Sequence, residues 1–139
     1  MFSFLKNSNI LLKPMLESPL KNDIYKNYDV LITGGGTGLG KAMATVYSSL
    51  GANVCIASRK ENILMKTADE ISEITNNQVN YQLLDLKNHD SITELVNNIN
   101  KTPDIVINNA AGNFICKSED LSYNGWNSIL DIVLKGSVD

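Results

Sequence analysis

The stretch Thr33-Gly34-Gly35-Gly36-Thr37-Gly38-Leu39-Gly40 joins two segments of different periodicity. Before it, Val30, Leu31 and Ile32 make a short apolar run suited to a buried parallel strand. After it, Leu39, Met43, Val46, Tyr47 and Leu50 recur at helical spacing. A glycine-rich turn between a strand and a helix is a place where a dinucleotide pyrophosphate sits. Gly34, Gly38 and Gly40 carry no Cβ, so the backbone can turn sharply and come close to phosphates. The phosphate charge then meets unpaired amides and the positive end of the helix dipole. A flexible linker is also glycine-rich, but it is not framed by a buried strand and a periodic helix. Gly34, Gly35, Gly36, Thr37, Gly38, Leu39 and Gly40 are therefore candidate cofactor-binding residues.

Three residues separate Gly34 from Gly38 and one separates Gly38 from Gly40, unlike the GxGxxG spacing of many dinucleotide-binding turns. Further along, the apolar run Asp104-Ile105-Val106-Ile107 leads into Asn108-Asn109-Ala110-Ala111-Gly112. With a TGxxxGxG turn followed at this distance by a strand and NNAxG, the chain resembles the short-chain dehydrogenase/reductase family. That resemblance implies a cofactor role for Asn109 as well.

The rest of the chain reads as alternating strands and helices. Strands are expected at 28–33, 53–58, 79–84 and 104–108, and helices at 38–50 and 61–75. A third helix is expected from near Ser91, where Ser91 and Glu94 fit a capping box. A last helix is expected from Ser122 or Tyr123, with Trp126, Ile129, Leu130 and Val133 on one side. Asn76-Asn77 breaks the second helix, and other asparagines outside the motifs read as compositional drift on solvated turns. Short loops between alternating elements imply an α/β fold, a Rossmann-like doubly wound parallel sheet of strand order 3-2-1-4. Its cofactor cleft falls between strands one and four, where both motifs end.

At 139 residues, 43% hydrophobic and 19% charged, the composition is that of one globular domain. The chain is short for the family it resembles. The expectation is a truncated, partial NADP-binding domain at 25–139, without the family's downstream serine, tyrosine and lysine. The net charge of −3 and the lack of a basic cluster argue against a nucleic-acid partner. No apolar run reaches the roughly 20 residues that span a bilayer. Cys55 and Cys116 lack metal-ligand spacing and read as reduced thiols, with no metal site expected. Residues 1–24 read as an N-terminal arm or a targeting segment, since residues 1–16 carry Lys6 and Lys13, no acid and scattered apolar residues. His89, the only histidine, reads as a solvated or capping residue.

The second expected strand ends Ile56-Ala57-Ser58-Arg59-Lys60. An acid at this place binds ribose hydroxyls and repels a 2′-phosphate. Arg59 instead offers a planar, permanently charged fork, so NADP(H) is expected over NAD(H). Asp85 fits the family's adenine-binding acid. The context GGGTGLGKAM, SSLGA, IASRK and DIVINNAAGNF narrows the resemblance to 2,4-dienoyl-CoA reductases, especially the mitochondrial type, over about residues 29–136. This implies an acyl-CoA substrate and NADPH-dependent reduction in unsaturated fatty acid β-oxidation. It also implies Asn113 as a catalytic donor to the thioester oxygen, and Arg59, Lys87, Phe114 and Ser122 as substrate contacts. Lys87 stands where these enzymes carry arginine. A homo-oligomer is implied, with a mitochondrial location, or a peroxisomal or cytoplasmic one. The alternatives are another short-chain reductase, such as an enoyl-CoA reductase, or a non-catalytic nucleotide-binding module.

Overall fold

The computed structural model describes residues 20, 23–99, 101–112 and 116–138. Asn113, Phe114 and most of the expected N-terminal segment lie outside them. Four strands, β1 (Asp29–Thr33), β2 (Asn53–Ser58), β3 (Val79–Leu83) and β4 (Ile105–Ile107), form one sheet of order β3-β2-β1-β4, with every pair parallel. The connecting helices are α1 (Gly38–Ser49), α2 (Glu61–Thr75) and α3 (His89–Asn98), and α4 (Tyr123–Val133) follows β4. The expected α/β architecture and strand order are those observed.

Strand alternation divides the core between two faces. Val30 and Ile32 pack with Val54, Ile56, Ala44, Leu64, Ala68 and Ile71, so this layer joins the sheet to α1 and α2. Leu31 faces the other way, with Ala57, Leu84 and Leu95 of α3. β1 lies between two partners and is buried from Val30 to Thr33, as a central parallel strand must be.

Two local expectations need correction. Helix α3 begins at His89, but its cap is Asn88, whose side chain accepts the Asp90 N–H, and not Ser91. Ser91 accepts instead from the Asp85 N–H (3.0 Å), which ties the loop after β3 to the helix. Some of the turn asparagines are also more than drift. Asn76 ends α2 in the left-handed region at φ 53°, which asparagine tolerates better than most residues. Asn77 Nδ2 donates to Ser48 O (3.2 Å) and Ala52 O (2.8 Å), which ties the turn after α2 to the last turn of α1 and to the start of β2. His89 is exposed at the start of α3, in keeping with its solvated reading.

Candidate nucleotide-binding site

The carboxyl ends of β1 and β4 are fastened by two side chains. Thr33 is buried, and its hydroxyl oxygen accepts the N–H groups of Asn109 (3.1 Å) and Ala110 (3.0 Å) while donating to Ile107 O (3.4 Å). Asn109 Nδ2 donates to Thr33 O (3.0 Å) and Gly34 O (3.3 Å). Threonine has one donor and two lone pairs, and this seam uses all three.

The glycines divide by what surrounds them. A Cβ on Gly40 would lie 2.3 Å from Gly34 O and 2.7 Å from Asn109 Nδ2, so the first turn of α1 closes directly over the loop. Gly34, at φ +67°, brings the loop against Ala110, whose Cα would be 2.9 Å from an added Cβ. Gly38 differs: its φ is +55°, yet apart from its chain neighbours and its own helix backbone no atom among the described residues lies within 4 Å of where a Cβ would stand. It borders open space at the N-terminus of α1. Thr37 makes no side-chain cap there, so it leaves the first-turn amides available to a ligand.

That space belongs to a cleft of about 480 Å³. Gly34, Thr37, Gly38, Leu39 and Gly40 form one wall. Ala57, Ser58 and Arg59 enter from the end of β2, Leu84, Asp85 and Leu86 follow β3, and Asn109, Ala110 and Ala111 follow β4. Ile132 of α4 completes the lining, and a Cβ on Gly112 would stand 2.7 Å from its Cδ1. Arg59 is exposed in the cleft and pairs with no carboxylate among the described residues. Asp85 Oδ1 accepts the Lys87 N–H (3.1 Å).

The structure therefore brings together Gly34, Thr37, Gly38, Leu39, Gly40, Arg59, Asp85 and Asn109. Gly35 and Gly36, expected at the cofactor, do not line the cleft. Gly35 is pressed against Ile56, 2.6 Å from an added Cβ, and Gly36 O accepts from Thr67 Oγ1 (2.8 Å). Their small size serves packing against β2 and α2. Lys87 is also outside the lining, its Nζ donating to Ser128 Oγ on α4. Ser122 caps α4, accepting the Gly125 N–H (3.1 Å), and lines a second cleft. Ser58, Leu86 and Ile132 were not foreseen. Ser58 adjoins an expected residue, whereas Ile132 reaches the cleft only through the docking of α4.

At the opposite end of the strands, Lys101 Nζ bridges Asp29 (2.7 Å) and Asp104 (3.4 Å). Its hydrogen bond, with that of Asn53, holds the Asp29 carboxyl below its usual range, while the Asp29 N–H does the same for Asp104. These contacts fasten the starts of β1 and β4, away from the nucleotide cleft. No group of three or more candidate metal ligands occurs among the described residues.

A family model described as short chain dehydrogenase matches residues 29–139. A probable 2,4-dienoyl-CoA reductase of Caenorhabditis elegans is 43% identical over 131 residues, covering 91% of this chain and 42% of the relative. The crystal structure of a short chain dehydrogenase from Bacillus anthracis is 44% identical with a TM-score of 0.73, covering 80% of this chain and 47% of that one. A Shigella flexneri short chain dehydrogenase complexed with NADP is 27% identical with a TM-score of 0.79, covering 85% and 52% of the two chains. The chain thus spans about two fifths to half the length of these relatives.

Proposed function

This chain belongs to the short-chain dehydrogenase family, and from that membership we propose that it carries the nucleotide-binding part of an NADPH-dependent 2,4-dienoyl-CoA reductase. The observation that carries the cofactor choice is the end of β2, where the cleft meets Ser58 and Arg59 rather than an acid, and Arg59 pairs with no carboxylate among the described residues. The relative named a probable 2,4-dienoyl-CoA reductase supports the substrate class.

The residues fit the cofactor. Gly38 leaves room for a pyrophosphate against the first-turn amides of α1, with Gly34, Thr37, Leu39 and Gly40 around it. Arg59 pairs with the 2′-phosphate, and Asp85 accepts the adenine amine. When bound, the nicotinamide cofactor supplies the electrons of the reduction. Reduction of a conjugated thioester gathers negative charge on the thioester oxygen, and donors aimed there lower the barrier. Asn113, a neutral side chain with two N–H donors, is assigned this part by the sequence resemblance. Phe114, Lys87, Ser122 and Arg59 are assigned to the acyl-CoA. The Ser122 hydroxyl accepts from Gly125 and keeps its own proton to donate. The reaction belongs to unsaturated fatty acid breakdown, in a homo-oligomer located in mitochondria, with residues 1–24 as an arm or targeting segment.

Titration of NADPH and NADH tests the cofactor choice. Charge-assisted hydrogen bonds contribute about 1.5–3 kcal/mol, so NADPH should bind roughly tenfold or more tightly, and Arg59→Ala should narrow the gap. Equal affinities in the unaltered protein refute it. The substrate is tested by loss of NADPH absorbance with 2,4-hexadienoyl-CoA, using protein made from the complete coding sequence. Nucleotide binding without turnover there favours the non-catalytic module.

A further inference from the structure

We propose that Ser128 is a positioning residue that directs the Lys87 ammonium toward the acyl-CoA and away from the nucleotide. This rests on the acyl-CoA reading above. Lys87 stands just past Asp85 and Leu86, which line the nucleotide cleft, and a flexible lysine stem does not by itself choose between the phosphates of a nucleotide and those of an acyl-CoA. Its backbone is held by the Asp85 carboxylate, and its Nζ donates to Ser128 Oγ.

Ser128 and Ile132 lie four residues apart on α4 and so share a face. Ile132 lines the nucleotide cleft, whereas Ser128 lines a separate cleft of about 520 Å³ with Cys116, Asp120 and Ser122. The serine thus holds the ammonium one turn along that face from Ile132, at a residue that lines the second cleft. An ammonium has three donors, so the bond to Ser128 leaves two for a phosphate. Lysine is a point charge on a long stem that loses conformational freedom when it binds. A bond formed before the ligand arrives has already removed much of that freedom.

The test measures dissociation constants of CoA and NADPH by calorimetry, with protein made from the complete coding sequence. Ser128→Ala should weaken CoA about threefold to tenfold and leave NADPH unchanged, and Ser128→Thr, which keeps the hydroxyl, should restore CoA binding. Lys87→Ala should weaken CoA by at least as much, and adding Ser128→Ala to it should change nothing further. Unchanged CoA binding in Ser128→Ala, additive effects in the double variant, or equal weakening of both ligands overturns the role of Ser128. Failure of the unaltered protein to bind CoA overturns this role together with the acyl-CoA reading.

Discussion

Gly40 and Gly38 differ by two positions and by what a methyl group would do at each. At Gly40 the methyl would strike backbone oxygen and the Asn109 amide. Gly40→Ala should therefore lower the thermal midpoint as well as nucleotide affinity. At Gly38 the methyl meets no atom of another element among the described residues, and its cost is the left-handed backbone, about 1–2 kcal/mol. Gly38→Ala should keep the fold while losing most nucleotide binding, since the methyl enters the approach path of the phosphates. A variant that binds NADPH normally would show that the pyrophosphate lies elsewhere. The cysteines form another contrasting pair. Burial pushes the Cys55 thiol up to about 11, while Cys116 is exposed. Because the folded state favours the neutral thiol, Cys55 holds its full contribution below about 9 and loses it as pH rises toward 11. Urea unfolding should show a decline in stability over that window that Cys55→Ala reduces, and iodoacetamide should modify Cys116 first.

Among the elements, the seam between β1 and β4 matters most, because the nucleotide cleft opens where those strands end. β4 is only three residues long and, among the described residues, pairs with β1 alone. Its position depends on Thr33 and Asn109 at one end and on the Asp29, Lys101 and Asp104 cluster at the other. Thr33→Val removes the acceptor of the Ala110 N–H while nearly preserving volume, whereas the Asn109 N–H keeps Ile107 O (3.0 Å). A buried donor left unpaired costs about 1–3 kcal/mol, so with one half-buried amide orphaned the variant should lose roughly 1–2 kcal/mol in urea unfolding. Thr33→Ser should recover most of it. A loss below about 0.5 kcal/mol would mean that the seam is held by other contacts.

For the whole molecule, the two faces of the sheet are unequally covered. The layer against α1 and α2 is filled, whereas the opposite side leaves Val96 63% and Val106 52% exposed. On α4, the apolar side expected at Trp126 and Val133 is also about half open. An apolar edge strand invites pairing with another chain. The 139-residue chain should self-associate with rising concentration in sedimentation velocity, and Val106→Lys should shift it toward monomer. An unaltered chain that stays monomeric at high concentration would show that this edge is already protected.

The alternation of elements, their near-exact bounds and the strand-turn-helix around Gly34 were legible because each rests on local periodicity and on backbone demands that few residues meet. Strand order followed from the alternation of strands and helices with short connections, and the two motifs meeting at one cleft agree with it. The separate duties of the glycines were not legible, since all lack a side chain and only their neighbours distinguish packing at Gly35 and Gly40 from open space at Gly38. Nor was the place of Ile132, the bond from Lys87 to Ser128 or the use of Asn77 and Asn88. Each depends on where another element docks, and contacts between groups distant in sequence leave no period or spacing to read.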